Sequence, residues 1–321
     1  MKSFAIADGF EKELLCHLGA ERELWGPVHG NDGVTRLTAV SSWDDLEPGG
    51  LPLIPLKKLL LPPREEICAF PGPGDSFSDP PCRPRALVGI PPCDLYALDY
   101  LDRVFAEDPF YQRRRTDMLV LGTACTPSDE CFCAPRPALP LFDLFLAEGR
   151  VWAGSARGEG VLDGLRGLGA EESDLPLPME TMGGRGGALP ENLPELFSKS
   201  ATLPLWRETG SRCLSCGACS AVCPTCYCYD VVDEALPGGR TARHREWDNC
   251  FFRSHALVAG GHNFRPRRGD RLRFRFEHKF LGFGPLRGEV SCVGCGRCAR
   301  ACPVDIDISS VLTELSGEEQ R

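Results

Sequence analysis

The sequence predicts an α/β N-terminal domain with a short parallel sheet, followed by a mainly α-helical domain built around clustered cysteines. Three observations predict it. Residues 85–122 read strand, helix, strand; two cysteine runs of identical spacing lie beyond residue 212; and 321 residues exceed what one hydrophobic core usually supports. The expected domains are residues 1–203 and 204–321, with a helical insertion over 229–290.

Residues 3–25 carry Phe10, Leu14, Leu15 and Leu18 at helical spacing and predict an amphipathic helix with a packing role. Prolines punctuate residues 48–92, where 57–63 predicts a short strand or extended arm, and Cys68 and Cys82 read as ordinary thiols. The stretch Arg85–Ile90 then reads as a short buried strand leading into Pro91-Pro92-Cys93-Asp94. Asp94 can cap a following helix whose stripe of Leu95, Leu98, Leu101, Val104 and Phe105 keeps one face inward until Pro109. A second apolar strand over 117–122 leads to Cys125.

Strand, helix, strand at this length makes a βαβ unit, so both strands run parallel and their C-terminal ends share one edge. Ligands sit at that edge in open α/β sheets. Cys93 and Cys125 fall on this rim, with Cys131 and Cys133 in the loop that follows. Four thiols there could hold an inorganic cluster, although the spacing is not a standard signature, and small residues packed under loops are the alternative.

A further strand is expected over 150–154. The glycine-rich stretches 154–160 and 183–187 lack the spacing and βαβ frame of a dinucleotide fingerprint and read as surface loops. Without a flavin or nicotinamide site, the chain alone cannot split a hydride into single electrons.

The second domain holds the decisive pattern. Cys213, Cys216, Cys219 and Cys223 are followed by Pro224; Cys292, Cys295, Cys298 and Cys302 repeat the spacing and are followed by Pro303. In the bacterial ferredoxin pattern, three thiolates of one run hold a 4Fe-4S cluster and the fourth ligates the other cluster. This assigns Cys213, Cys216, Cys219 and Cys302 to one cluster, and Cys292, Cys295, Cys298 and Cys223 to a second. Structural zinc is the rival reading, but zinc favours C-x2-C pairs brought together two and two. With two clusters expected here, the rim thiols Cys93, Cys125, Cys131 and Cys133 become candidates for a third.

Beyond Cys223, residues 231–236 read as a helix stopping at Pro237, and residues 307–315 as a terminal helix. Cys226, Cys228 and Cys250 are too scattered to make a site. Arg265, Arg267, Arg268, Arg271, Arg273 and Arg275 form a basic run, read first as a solvated helix face and alternatively as a docking surface for an acidic partner.

Net charge of -9 argues against general nucleic-acid binding. With 18 cysteines in a chain too long for a disulfide scaffold, those at metal-ligand spacing indicate a reducing compartment. No stretch offers about 18 uninterrupted apolar residues, so no membrane span is expected and the cytoplasm is the predicted location.

The stretches Gly89-Ile90-Pro91-Pro92-Cys93-Asp94, Cys131-Phe132-Cys133, Cys223-Pro224-Thr225-Cys226-Tyr227-Cys228, Trp247-Asp248-Asn249-Cys250 and 259–266 resemble the iron-sulfur β subunit of cytoplasmic NiFe hydrogenases of the sulfhydrogenase type. They are equally similar to the A subunit of anaerobic sulfite reductase. The resemblance spans residues 50–315; Pro91 departs from it, standing where a basic residue is expected. It implies an electron-relay subunit working beside a flavin subunit that handles NAD(P)H and beside catalytic hydrogenase or reductase subunits. A flavin-binding reductase built on the N-terminal α/β domain is the alternative.

Overall fold

The computed structural model describes residues 1–70, 83–133, 141–172, 175–177, 189–190 and 192–318. Cys82 and the glycine run 183–187 lie outside them. Eleven strands are described, in chain order β1 (Lys2–Ile6), β2 (Glu23–His29), β3 (Thr35–Ala39), β4 (Arg64–Phe70), β5 (Arg85–Ile90), β6 (Leu119–Thr123), β7 (Leu144–Ala147), β8 (Arg150–Ala153), β9 (Leu168–Glu172), β10 (Tyr229–Leu236) and β11 (Arg240–Trp247). Two compact units contain them: Met1–Leu60 with Pro80–Gly186, and Leu61–Asp79 with Gly187–Arg321.

The first unit holds an eight-stranded sheet in the order β3-β2-β5-β6-β7-β8-β1-β9. Only β2, β5, β6 and β7 run parallel to their neighbours in that series; the flanking strands pair antiparallel. The sheet is therefore mixed, and larger than the short parallel sheet expected. Residues 3–25 do not form one helix: β1 and β2 flank a helix at Phe10–Gly19, which starts after Gly9 at φ +85°. Its predicted apolar stripe of Phe10, Leu14, Leu15 and Leu18 is buried against Leu24, Val88, Leu119 and Leu121 of the sheet.

The central βαβ unit matches the sequence reading. Ala86 pairs with Leu119 and Leu87 with Val120 in parallel register, with the helix Pro92–Val104 between the strands. That helix begins at Pro92, two residues before the expected Asp94 cap. Proline suits a first helical position because it has no N–H to leave unsatisfied. Two further readings become helices: Lys57–Leu60, expected as a strand or extended arm, is helical, and in the expected loop at 154–160 Ser155 caps Ala156–Leu162, its Oγ accepting from Gly158 N at 3.0 Å.

The second unit contains the main correction. Residues 229–247 are not helical: β10 and β11 form a hairpin, with register running from Tyr229 opposite Trp247 to Leu236 opposite Arg240. Tyr229, Val231 and Val232 favour a pleated strand over a helix. Gly238 and Gly239 turn the chain at φ +79° and +77°. β11 also pairs with β4, and the joint is held by a buried ion pair, Arg245 Nη2 to Glu65 Oε2 at 2.6 Å. Helical structure follows at Arg268–Phe280 and Ile308–Glu318, the latter opened by Asp307, whose Oδ1 accepts from Ser309 N at 3.0 Å.

Candidate iron-sulfur centres

The two cysteine runs have matching backbones. Ser215 and Gly294, each two residues after the first cysteine, have φ of +53° and +70°; Gly217 and Gly296 follow the second cysteine at +81° and +69°. Each run then enters a one-turn helix, Ala218–Ala221 or Arg297–Arg300. The left-handed residues wrap the chain so that successive cysteines face one side. At Ser215 this conformation is uncommon for a residue other than glycine, and it is held by Ser215 Oγ accepting from Arg271 Nη2 at 3.4 Å.

These turns create a cavity with about 540 Å3 of open space, counting the solvent at its mouth. Cys213, Cys216, Cys219 and Cys302 all line it, and so does Cys298. Backbone amides already point at sulfur: Ser215 N donates to Cys213 Sγ at 3.4 Å and Ile306 N to Cys302 Sγ at 3.3 Å. Among the described residues no three His, Cys, Asp or Glu side chains meet closely enough to hold a single ion. The thiols surround space, and a cubane of four irons and four sulfides needs space. The donor set and its amide contacts fit such a group.

Around the second run, Cys292, Cys295, Cys298 and Cys223 interact electrostatically with one another. Burial is the first cause that raises the Cys292 and Cys298 thiols; Cys292 is pushed up to about 11, with Cys223 and Cys295 adding to the shift. Cys219 in the first run is raised in the same way, first by burial and then by Cys213, Cys223 and Cys302. A cluster would displace these protons, so loading couples to proton release.

The family model for a 4Fe-4S dicluster domain matches residues 212–306. A curated relative, the sulfhydrogenase 2 subunit beta of Pyrococcus furiosus, is 34% identical over 346 residues, covering 98% of this chain and 98% of its own. This chain belongs to the sulfhydrogenase β-subunit family. No solved structure matches. The dicluster match supports two 4Fe-4S clusters in the second unit of this β subunit, and the chemistry of such a subunit is electron transfer.

In the first unit, the sheet carries Cys93 and Cys125 to the C-terminal edge of β5 and β6, as the βαβ argument requires. Cys131 and Cys133 join them: all four interact electrostatically, and Cys131 hydrogen-bonds Cys133 and Ser128 Oγ, the latter at 3.3 Å. Burial pushes Cys125 up to about 11, with Cys131 and Asp94 adding to it. The hydrogen bond from Cys131 and then burial raise Cys133 well above the usual thiol range. The loop below is tight: a Cβ on Gly49, at φ +74°, would lie 2.0 Å from the Ala124 carbonyl oxygen.

The basic run needs the clearest correction. Arg267 and Arg268 are exposed, but Arg271 and Arg275 are buried, together with Lys279 further along the same helix. Sequence reasoning missed these residues because it counted charge. The available signal was the period: 271, 275 and 279 recur every four residues beside Leu272, Phe276 and Phe280, one inward face. Cys226 and Cys250, left unassigned by their spacing, lie beside the quartets; Arg275 Nη1 donates to Cys226 Sγ at 3.4 Å. No described helix is long and apolar enough to cross a membrane.

Proposed function

We propose that this chain relays single electrons within a multi-subunit cytoplasmic oxidoreductase, between a flavin subunit that handles NAD(P)H and a catalytic subunit of the hydrogenase or sulfur/sulfite reductase type. The observation carrying this reading is the cavity where Cys302 joins Cys213, Cys216 and Cys219. When bound, 4Fe-4S clusters supply one-electron redox chemistry at potentials set by burial and hydrogen bonds to sulfur.

The chain's own part is to hold, desolvate and polarise. Cys213, Cys216, Cys219 and Cys302 hold one cluster, and Cys292, Cys295, Cys298 and Cys223 the other. Cys93, Cys125, Cys131 and Cys133 hold a third at the sheet edge. The Pyrococcus relative is a subunit beta, which favours a partner-dependent role over a self-sufficient flavin reductase.

The test is anaerobic purification of the single chain, followed by iron, sulfide and flavin analysis and dithionite reduction. About eight irons mark two clusters and about twelve mark three, with reduced-cluster signals and no bound flavin. Colourless protein holding zinc would refute the reading. NAD(P)H-dependent dye reduction by the chain alone would transfer the function to the flavin alternative.

A further inference from the structure

The helix Arg268–Phe280 drives two cations into the region of the cysteine quartets. Arg275 and Lys279 are each 4% exposed. Arg275 lines the same cavity as Cys213, Cys216, Cys219 and Cys302, which Cys298 also lines, and its charge bears on Cys219 first and on Cys223 and Cys298 of the second quartet as well. Its Nη1 donates to Ser220 Oγ at 2.9 Å and to Cys226 Sγ at 3.4 Å, and its Nη2 donates to the Cys219 carbonyl at 3.0 Å.

Lys279 takes a different route. Its Nζ donates to Thr225 Oγ1 at 2.8 Å and to the Thr225 carbonyl at 3.1 Å. Thr225 is fully buried, and its Oγ1 lies 3.5 Å from Cys223 Sγ, the thiol that belongs with Cys292, Cys295 and Cys298. One turn of helix thus separates a cation at the first quartet from a cation tied to the second.

Among the described residues no carboxylate pairs with either cation. The contrast lies in the same unit, where buried Arg245 has Glu65. A cation taken out of water without an anion costs several kcal/mol, so Arg275 and Lys279 require negative charge from their surroundings. Four thiolates around an iron-sulfur core supply it, and each added electron increases it. A fixed cation at short range in a low-dielectric interior favours the reduced state and raises the potential.

We propose that Arg275 and Lys279 are potential-setting residues, Arg275 chiefly for the cluster at Cys213, Cys216, Cys219 and Cys302, and Lys279, through Thr225 and Cys223, chiefly for the other. Both are positioning residues, Arg275 through its bond to the Cys219 carbonyl and Lys279 through Thr225. The inference rests on the reading of the two quartets as cluster ligands, and its test separates the two.

The experiment is a redox titration of the anaerobically purified full chain, followed by electron paramagnetic resonance, with wild type, Arg275→Gln, Lys279→Met, Arg275→Lys and Thr225→Val. Each neutral variant should make one cluster at least tenfold harder to reduce, about 59 mV for a one-electron couple, and shift the other by less. Arg275→Lys should restore the first potential, and Thr225→Val should move only the cluster that Lys279 serves. If a neutral variant sheds iron while Arg275→Lys keeps it, the charge is what holds the cluster and the proposal stands.

Iron-replete neutral variants at wild-type potentials would overturn it, as would equal shifts of both clusters in each variant. Loss of iron in Arg275→Lys as well as Arg275→Gln would reduce Arg275 to a packing role. Wild-type chain without iron would instead overturn the underlying cluster reading.

Discussion

The two units gather cysteines in different ways. In the second, each run carries its own turn chemistry, with Ser215 and Gly217 matched by Gly294 and Gly296, so local sequence sets the sulfur geometry. In the first, Cys93 and Cys125 are brought together only because β5 and β6 pair in parallel. Spacing specifies one arrangement and topology the other. A group of thiols gathered by topology has no sequence signature of its own, and a variant that shifts the strands disturbs it as surely as one that removes a thiol.

Cys302→Ser should have the largest effect. It removes a thiol that the second run lends to the first cavity, and iron analysis should find about four irons lost together with one reduced-cluster signal. Unchanged iron would break the exchange of fourth ligands. Cys93→Ser asks the same of the sheet edge: about four irons fewer if the rim holds a cluster, and no change if only the ferredoxin-type sites exist.

Stability tests sharpen the comparison further. Glu65→Ala strands Arg245 in the joint between β4 and β11, where the pair is only 4% and 7% exposed, and should cost about 3–5 kcal/mol in urea unfolding. Asp44→Ala breaks the open pair with Lys12, at 66% and 62% exposure, and should cost under about 1 kcal/mol. Equal costs would mean that the hairpin joint is not a buried one.

The smallest expected effect is a pH dependence at His278. Burial first, then the charges of Lys279 and Arg265, hold its imidazole down at about 4 against an ordinary 6.5. The folded chain therefore resists a proton that the unfolded chain accepts. This contribution is complete above pH 6.5 and is lost as pH falls towards 4. His278→Phe should flatten the urea midpoint across that window, and a slope identical to wild type would remove His278 from the account.

Much of this was legible before any coordinates. The quartets declare themselves by spacing, and β5, the Pro92–Val104 helix and β6 by apolar runs with proline and turn signals between them. The hairpin of β10 and β11 was not, because its stability comes partly from β4, which is distant in sequence. Tertiary pairing there outweighs the helix signal read from Val231, Val232, Ala235 and Leu236. Arg275 and Lys279 were hidden for another reason: burying a cation makes sense only once its anionic neighbours are known, and those come from Cys219 and Cys223 more than 50 residues earlier.

The borrowing of Cys302 by the first cavity also bears on biosynthesis. A nascent chain that has emerged only as far as the first cysteine run offers three sulfurs and no fourth, so a cofactor delivered then would be held by an incomplete set. Insertion of the first core should therefore await synthesis of Cys302, and a message truncated shortly before that codon should yield a polypeptide that lacks the first core while keeping every thiol of the second.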